Sequence, residues 1–163
     1  MPDALRSGEI MRVAVGSDHA GYELKRVLAD YLAGVGHEVT DLGTDSTSPV
    51  DYPVFAEKVG LAVTGGAAER GIVICGSGVG ASVASNKIPG VRAGLCHDIY
   101  SAHQGVEHDD INVLVIGSRV VGEEVAKDLA RTFLEARFTN EDRHRRRLAL
   151  VAAIERRHRG TNS

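Results

Sequence analysis

The chain has 163 residues, of which 43% are hydrophobic and 25% are charged, and a formal net charge of −3. No apolar run approaches the roughly 20 residues that a membrane span needs, the first eleven residues lack the apolar core of a secretory signal, and two cysteines are too few for a disulfide framework. We therefore expect a cytoplasmic protein that folds around one substantial core.

Apolar runs of strand length alternate with amphipathic segments of helix length. The predicted strands are residues 11–16, 37–42, 71–75, 91–96 and 112–117, and the predicted helices are about 20–35, 53–64, 79–86, 98–106, 122–136 and 141–158. This alternation predicts an α/β fold with a Rossmann-like, doubly wound, five-stranded parallel sheet. We expect one domain over residues 11–158, a disordered N-terminal extension at 1–10 and a short tail at 159–163.

Polar residues follow the predicted strands at their carboxyl ends, which is where doubly wound sheets bind their ligands. These residues are Ser17, Asp18 and His19, the loop 75–80, His97 and Asp98, and the segment 117–119. We expect them to share one crevice, with the polar loop 43–52 on the substrate side.

A glycine-rich loop, with Gly76, Gly78 and Gly80, lies between a predicted strand and a predicted helix. Its backbone N–H groups can bind an anion. The loop also fits the dinucleotide pattern G-x-G-x-x-A, with Asp98 as a ribose-binding acid. Against a nucleotide, the loop follows the third strand rather than the first, and the chain has no room for a second, substrate-binding domain.

Cys75 is the last residue of the strand before this loop, where backbone dipoles favour a thiolate that can abstract a proton. The alternative is a small buried hydrophobic residue, which is our interpretation of Cys96. Asp18 has a comparable alternative role as the cap of the next helix.

The segment 103–110 carries two histidines and three acidic residues. Its spacing matches no compact metal-ligand motif, and a glycine interrupts any shared helical face. We therefore predict no metal site, and a histidine that acts as a proton donor instead.

Seven arginines and one acidic residue lie from Arg143 onward. With Asn140 as the predicted N-cap of the last helix, Arg143 and Arg147 lie one turn apart and can hold one phosphate. A solvated basic face and a nucleic-acid arm are the alternatives, and the low aromatic content, 4%, argues against the arm.

Five stretches together resemble the ribose-5-phosphate isomerase B family, which also includes galactose-6-phosphate isomerase subunits. They are GSDHAGYELK (16–25), DYP (51–53), GIVICGSGVGASVASNK (71–87), VEHDDINVLVIGSRVVG (106–122) and RHRRR (143–147). The similarity runs from about residue 11 to residue 157. It implies an aldose–ketose isomerase of carbohydrate metabolism that acts on a sugar phosphate through an enediolate, without metal or organic cofactor. Ribose 5-phosphate, an intermediate of the pentose phosphate pathway, is the expected substrate.

The resemblance also implies roles for single residues. Cys75 becomes the catalytic base, with Ser77 beside it, and the loop amides hold the enediolate. His108 becomes the acid that opens the sugar ring, and Asp18 positions substrate hydroxyls. The other expected substrate-binding residues are His19, Tyr52, Gly76, Gly78, Val79, Gly80, Asp109, Arg119, Arg143 and Arg147. Ala81 stands where the second branch of the family has a glutamate, so the chain matches the cysteine-type branch.

By the same resemblance the active site is shared between subunits of a homodimer or a dimer of dimers. His108 and Arg119 are then expected to face the partner's glycine loop, and the last helix to pack on the partner. We expect no nucleic-acid or membrane partner. Asp109 departs from the family's usual asparagine, and this leaves a tetrulose 4-phosphate, galactose 6-phosphate or a non-catalytic sugar-phosphate sensor open as alternatives.

Overall fold

The computed structural model describes residues 9–160 of the chain. Over these residues the strands are β1 (Arg12–Ser17), β2 (Glu38–Asp41), β3 (Arg70–Cys75), β4 (Ala93–Leu95) and β5 (Val113–Gly117). The helices are α1 (Tyr22–Gly34), α2 (Tyr52–Thr64), α3 (Val79–Ser85), α4 (Ile99–Asp109), α5 (Glu123–Glu135) and α6 (Asp142–His158). No helix within residues 9–160 has both the length and the apolar character that crossing a bilayer requires.

The strands form one parallel sheet in the order β2-β1-β3-β5-β4, which confirms the predicted fold class. The central strands β3 and β5 are buried along their whole length, because helices cover both faces of the sheet. Helices α1, α4 and α5 enclose the larger core, which includes Leu28 and Phe133. Helices α2 and α3 enclose the smaller core on the other face, which includes Val59 and Ala81.

The direction of winding reverses between β1 and β3. The chain leaves β1 to form β2 on one side, and β3 then pairs with the other side of β1. The carboxyl ends of β1 and β3 are therefore neighbours at the reversal, where an open α/β sheet has its natural crevice. Asp18 follows β1 and Cys75 ends β3, so the fold brings these two predicted site residues to the same place.

Two details of the elements differ from the prediction. Helix α4 continues to Asp109, three residues beyond its predicted end near residue 106, and Gly105 is buried inside it. Asn140 does not cap α6, because its φ of 58° lies in the left-handed region, whereas the cap residue Glu141 has the extended backbone of an N-cap. The predicted N-terminal extension falls largely outside the described residues, although Glu9 forms an ion pair with Arg137.

Helix α6 makes little use of the cores. His144 is its buried residue, while Leu150, Val151 and Ile154 are each more than half exposed. An open groove of about 760 Å³ runs between this helix and the segment 86–93. An amphipathic helix normally buries its apolar residues against another surface. Within one chain, these apolar residues of α6 are not buried.

Candidate active site

The Cys75 side chain is 4% exposed at the end of β3, and the backbone N–H of Gly78 donates a hydrogen bond to its Sγ at 3.2 Å. Gly78 has a φ of +83°, and a Cβ there would lie 2.5 Å from the Leu95 side chain. Only glycine suits that backbone and that space. The loop therefore turns back over the sulfur and places an amide donor on it.

The rest of the glycine loop is accessible. Ser77 is exposed, and its Oγ accepts a hydrogen bond from the Val79 N–H at 3.2 Å. The Tyr52 ring lies on Gly80, where a Cβ would come within 2.7 Å of Cζ. Tyr52 itself is 39% exposed. The start of α2 thus lies beside the glycine loop.

Arg119 lies beside the glycine loop of its own chain. The N–H groups of Ser118 and Arg119 donate to the carbonyls of Cys75 and Gly76 at 2.8 and 3.0 Å. The Arg119 guanidinium lies 3.6 Å from the point that a Cβ on Gly76 would occupy. Within one chain Arg119 therefore lies against its own glycine loop, whereas the resemblance led us to expect it beside the partner's.

His97 supports this arrangement from the next strand. Its Nε2 accepts a hydrogen bond from the Gly117 N–H at 2.8 Å, directly before the segment that contacts the glycine loop. Sequence analysis placed His97 at this edge without giving it a role.

Asp18 and His19 lie at the end of β1. Asp18 is 8% exposed, and its Oδ1 accepts from the Gly21 N–H at 3.0 Å. The cap residue of α1 is Gly21 and not Asp18, so the capping role considered from the sequence is wrong, and this bond closes the turn before the helix. His19 Nδ1 accepts from the Val50 N–H at 3.1 Å. When this imidazole is neutral its proton is therefore on Nε2, the nitrogen that remains for another partner.

His108 lies at the opposite edge of the sheet. Helix α4 begins after β4, at the carboxyl edge, and returns to the amino edge, where His108 is in its last turn and Asp109 is its exposed last residue. Gln104 Nε2 lies 3.1 Å from His108 Nδ1. The intervening strand β5 has 5 residues, and at ~3.3 Å per residue it separates the two edges by on the order of 15 Å. His108 and Cys75 of one chain therefore do not meet.

The beginning of α6 lies against His108. The His108 and His144 rings are stacked with their centroids 4.1 Å apart, and Arg143 and Arg147 are close enough for their charges to act on His144. Arg143 Nε also donates to Glu141 Oε2 at 3.0 Å. The predicted ring-opening acid and the predicted phosphate clamp thus form one basic cluster at the amino edge.

Sequence analysis missed His144. Its side chain is 2% exposed, and Nε2 has no hydrogen-bond partner among residues 9–160. Burial lowers the pKa of His144, and the positive charges of His108 and Arg143 lower it further. The one available signal was a lone histidine within a run of arginines, which does not by itself predict burial.

We expect the stability of the protein to fall as the pH is lowered through about 6.5, and His144→Gln to weaken that dependence. The unfolded chain takes up a proton on His144 near its ordinary pKa of ~6.5, whereas the folded chain holds the ring neutral to a lower pH. The unfolded state therefore binds more protons in this window, so stability is complete above it and is lost below it. Urea unfolding between pH 8 and pH 5 measures the effect. In the variant, the slope of the free energy of unfolding against pH should decrease by the equivalent of up to about one proton. The same slope in variant and wild type would contradict the prediction.

The segment 103–110 is occupied by local contacts, since His103 Nε2 pairs with Glu107 Oε1 at 2.6 Å. Within residues 9–160 no group of three or more His, Cys, Asp or Glu side chains is arranged to hold a metal ion.

Asp98, the ribose-binding acid of the dinucleotide alternative, is engaged in another contact. Asp98 Oδ1 caps α4 by accepting a hydrogen bond from the Ser101 N–H at 2.7 Å, and this bond lowers the pKa of Asp98.

Cys96 is 5% exposed, and its pKa is raised to about 11 by burial and, to a smaller extent, by the negative charge of Asp98. Cys96 is a buried thiol, which confirms the interpretation of it as a core residue.

Comparison with known proteins identifies the family of the chain. A model of the family described as Ribose/Galactose Isomerase matches residues 13–151. Ribose-5-phosphate isomerase B of Escherichia coli is 46% identical over 90% of this chain and 97% of its own. D-erythrulose-4-phosphate isomerase of Pectobacterium atrosepticum is 38% identical over 79% of this chain and 86% of its own.

Solved structures give the same result. Ribose-5-phosphate isomerase B of Clostridium thermocellum superposes with a TM-score of 0.88 at 48% identity, covering 90% of this chain and 99% of its own. Fold, site and sequence lead to one assignment: the chain belongs to the Ribose/Galactose Isomerase family.

Proposed function

We propose that this sugar phosphate isomerase interconverts ribose 5-phosphate and ribulose 5-phosphate, with Cys75 as the base that moves the proton between C1 and C2. The observation that carries the proposal is the buried Cys75 sulfur at the reversal of the sheet, with the Gly78 amide donating to it. The relative from Escherichia coli supports the choice of a pentose phosphate.

The glycine loop supplies the electrostatic part of the chemistry. As the proton leaves the substrate carbon, negative charge develops on an oxygen. Backbone amides of the loop 76–80 would receive this charge, apart from those of Gly78 and Val79, which donate to Cys75 Sγ and Ser77 Oγ. Donors that are already oriented favour the charged transition state over the neutral sugar, because they need no reorganisation. Ser77 is the side chain nearest to Cys75 in sequence that can hydrogen-bond a substrate oxygen, and Asp18 is suited to position hydroxyls.

A complete site requires two chains. Cys75 and the glycine loop belong to the carboxyl edge, whereas His108, Asp109, Arg143 and Arg147 belong to the amino edge, on the order of 15 Å away in the same chain. We therefore propose a homodimer in which the amino edge of one chain closes the crevice of the other. His108 then opens the sugar ring. The exposed apolar residues of α6 support this association, because they offer a surface for the partner to cover.

Arg143→Ala and Arg147→Ala are each expected to weaken sugar-phosphate binding by about 1–3 kcal/mol, because a charge-assisted hydrogen bond to phosphate is lost. KM for ribose 5-phosphate and the inhibition constant of inorganic phosphate should rise together. Arg145→Ala is the matched control. Arg145 bonds the Asn140 carbonyl and Asp142, and it lies nearly half a turn away from Arg143 on the helix.

Equal changes of KM in all three variants would mean that the helix acts only through its overall charge. Normal KM values together with a loss of affinity for nucleic acid would favour the basic-arm interpretation instead.

A panel of aldose and ketose phosphates with four to six carbons, assayed in the presence of a chelator, tests the proposed function. Highest kcat/KM for ribose 5-phosphate supports it. The name of the Pectobacterium relative gives a four-carbon ketose phosphate as its substrate. If this chain prefers that substrate, the assignment of ribose 5-phosphate is wrong. Binding of all members without turnover would mean that the chain is a sensor.

Asp109→Asn should change the ranking within this panel. Asp109 is exposed beside His108, and its carboxylate only accepts hydrogen bonds, whereas an amide also donates. We expect kcat/KM for ribose 5-phosphate to change relative to shorter and longer substrates by about 10-fold or more, because specificity is a difference in transition-state binding. If the ratios of kcat/KM do not change across the panel, Asp109 does not select the substrate.

A further inference from the structure

Lys25 is a fully buried charged residue that lies outside the machinery described above. Its side chain is 1% exposed in α1. The Nζ donates to Asp41 Oδ1 at 2.6 Å and to the Thr44 carbonyl at 2.5 Å, and it lies 5.3 Å from the centroid of the Tyr22 ring. A buried ammonium group is costly unless it is paired and hydrogen-bonded. Here the partners are Asp41, the last residue of β2, and Thr44 in the segment that follows β2.

That segment holds the residues on both sides of Asp18. The Ser17 N–H donates to the Gly43 carbonyl, and the Thr44 N–H donates back to the Ser17 carbonyl, both at 2.8 Å. Further along the same loop, the Val50 N–H donates to His19 Nδ1 at 3.1 Å. The loop therefore fixes the backbone immediately before Asp18 and the ring of the residue immediately after it.

Lys25 is also linked to Asp18 through its own helix. The Lys25 N–H donates to the Gly21 carbonyl at 2.8 Å, and the Gly21 N–H is the donor to Asp18 Oδ1. An apolar side chain could fill the same space without the cost of burying a charge. The lysine differs from such a residue in one respect: it binds a specific carbonyl and a specific carboxylate of the loop.

We propose that Lys25 is a positioning residue, which fixes the loop 41–50 against the end of β1 and so orients Asp18 and His19 toward the substrate. This inference rests on the proposed function in that His19 is taken to meet the phosphate and Asp18 the sugar hydroxyls. Lys25 itself touches neither.

Lys25→Met removes the ammonium group and keeps most of the side-chain volume. We expect KM for ribose 5-phosphate to rise about tenfold, with kcat within about threefold of wild type, since binding residues are displaced while Cys75 and its loop are untouched. The inhibition constant of inorganic phosphate should rise in parallel.

Leu28→Ala is the matched control, because Leu28 is a fully buried residue of the same helix that lies in the larger core. It should lower the unfolding temperature and leave KM unchanged. Asp41→Asn is the second variant, for use if Lys25→Met does not fold. Asp41 is 44% exposed, so this variant should fold and raise KM in the same direction.

Amide hydrogen exchange separates this inference from the proposed function, because it needs no substrate. The Thr44 and Val50 amides should exchange faster in Lys25→Met than in wild type, and no faster in Leu28→Ala. A lower unfolding temperature with unchanged KM and unchanged exchange at these amides would overturn the inference and leave Lys25 as a structural residue. If wild type fails to isomerise ribose 5-phosphate while the exchange result holds, the substrate assignment is wrong and the positioning role stands.

Discussion

Cys75→Ala is expected to reduce isomerisation by about 10³-fold or more while the protein remains folded. In the proposed mechanism the substitution removes the group that carries the proton, and general acid–base catalysis contributes about 10²- to 10⁴-fold in other enzymes. The side chain is small and lies at the end of a strand, so little packing is lost. Cys96→Ala is the matched control, a buried cysteine at the next strand end along the chain, and it should retain wild-type kcat.

Incorporation of solvent deuterium into the substrate measures the step directly, because the base exchanges its proton with water between abstraction and return. The alanine variant should lose this incorporation together with turnover. Undiminished incorporation in a folded variant would remove Cys75 from the mechanism and leave it as a core residue of β3.

Mixing two inactive variants is expected to restore activity. Cys75→Ala lacks the proposed base, and His108→Asn lacks the proposed ring-opening acid, so under the proposed mechanism each homodimer should be inactive on the cyclic substrate. If the subunits exchange at random, about half of the dimers contain one chain of each kind. One of the two sites in such a dimer has Cys75 from one chain and His108 from the other. The mixture should therefore recover about a quarter of wild-type activity.

A site confined to one chain would give a different result. Every site of the mixed dimer would then lack either the base or the acid, and no activity would return. The experiment requires unfolding and refolding the variants together, with refolded wild type as the reference and the separately refolded variants mixed afterwards as the control.

Much of the fold followed from local signals. Apolar runs such as residues 71–75 are typical of strands that are buried on both faces, and their alternation with amphipathic segments allows few topologies besides a parallel sheet. Cys75, Asp18 and the glycine loop could be placed together because ligands bind at the carboxyl ends of parallel strands. This rule can be applied once the order of strands and helices along the chain is known, and that order was predicted from the sequence.

Other features depend on contacts between distant segments. The stacking of His144 on His108 joins two helices that the sequence connects only through β5 and α5. The position of Arg119 depends on backbone bonds to Cys75 and Gly76, which no side-chain pattern indicates. The contacts of Lys25 are of the same kind, since Asp41 and Thr44 follow it by a whole strand. Periodicity reports the buried face of a helix, but it does not report which polar atoms meet there.

The placement of His108 and Cys75 at opposite edges of the sheet has a consequence for the activity of the proposed dimer at low concentration. In the proposed dimer, a separated chain carries both groups and completes no site, whereas two chains related by a twofold axis complete two sites at once. Catalysis is then lost together with association, so specific activity should decline on dilution below the dissociation constant of the dimer, with no change in the folded state of each chain. A substrate that contacts both chains should oppose this decline, because a ligand bound across an interface favours the assembled form by mass action.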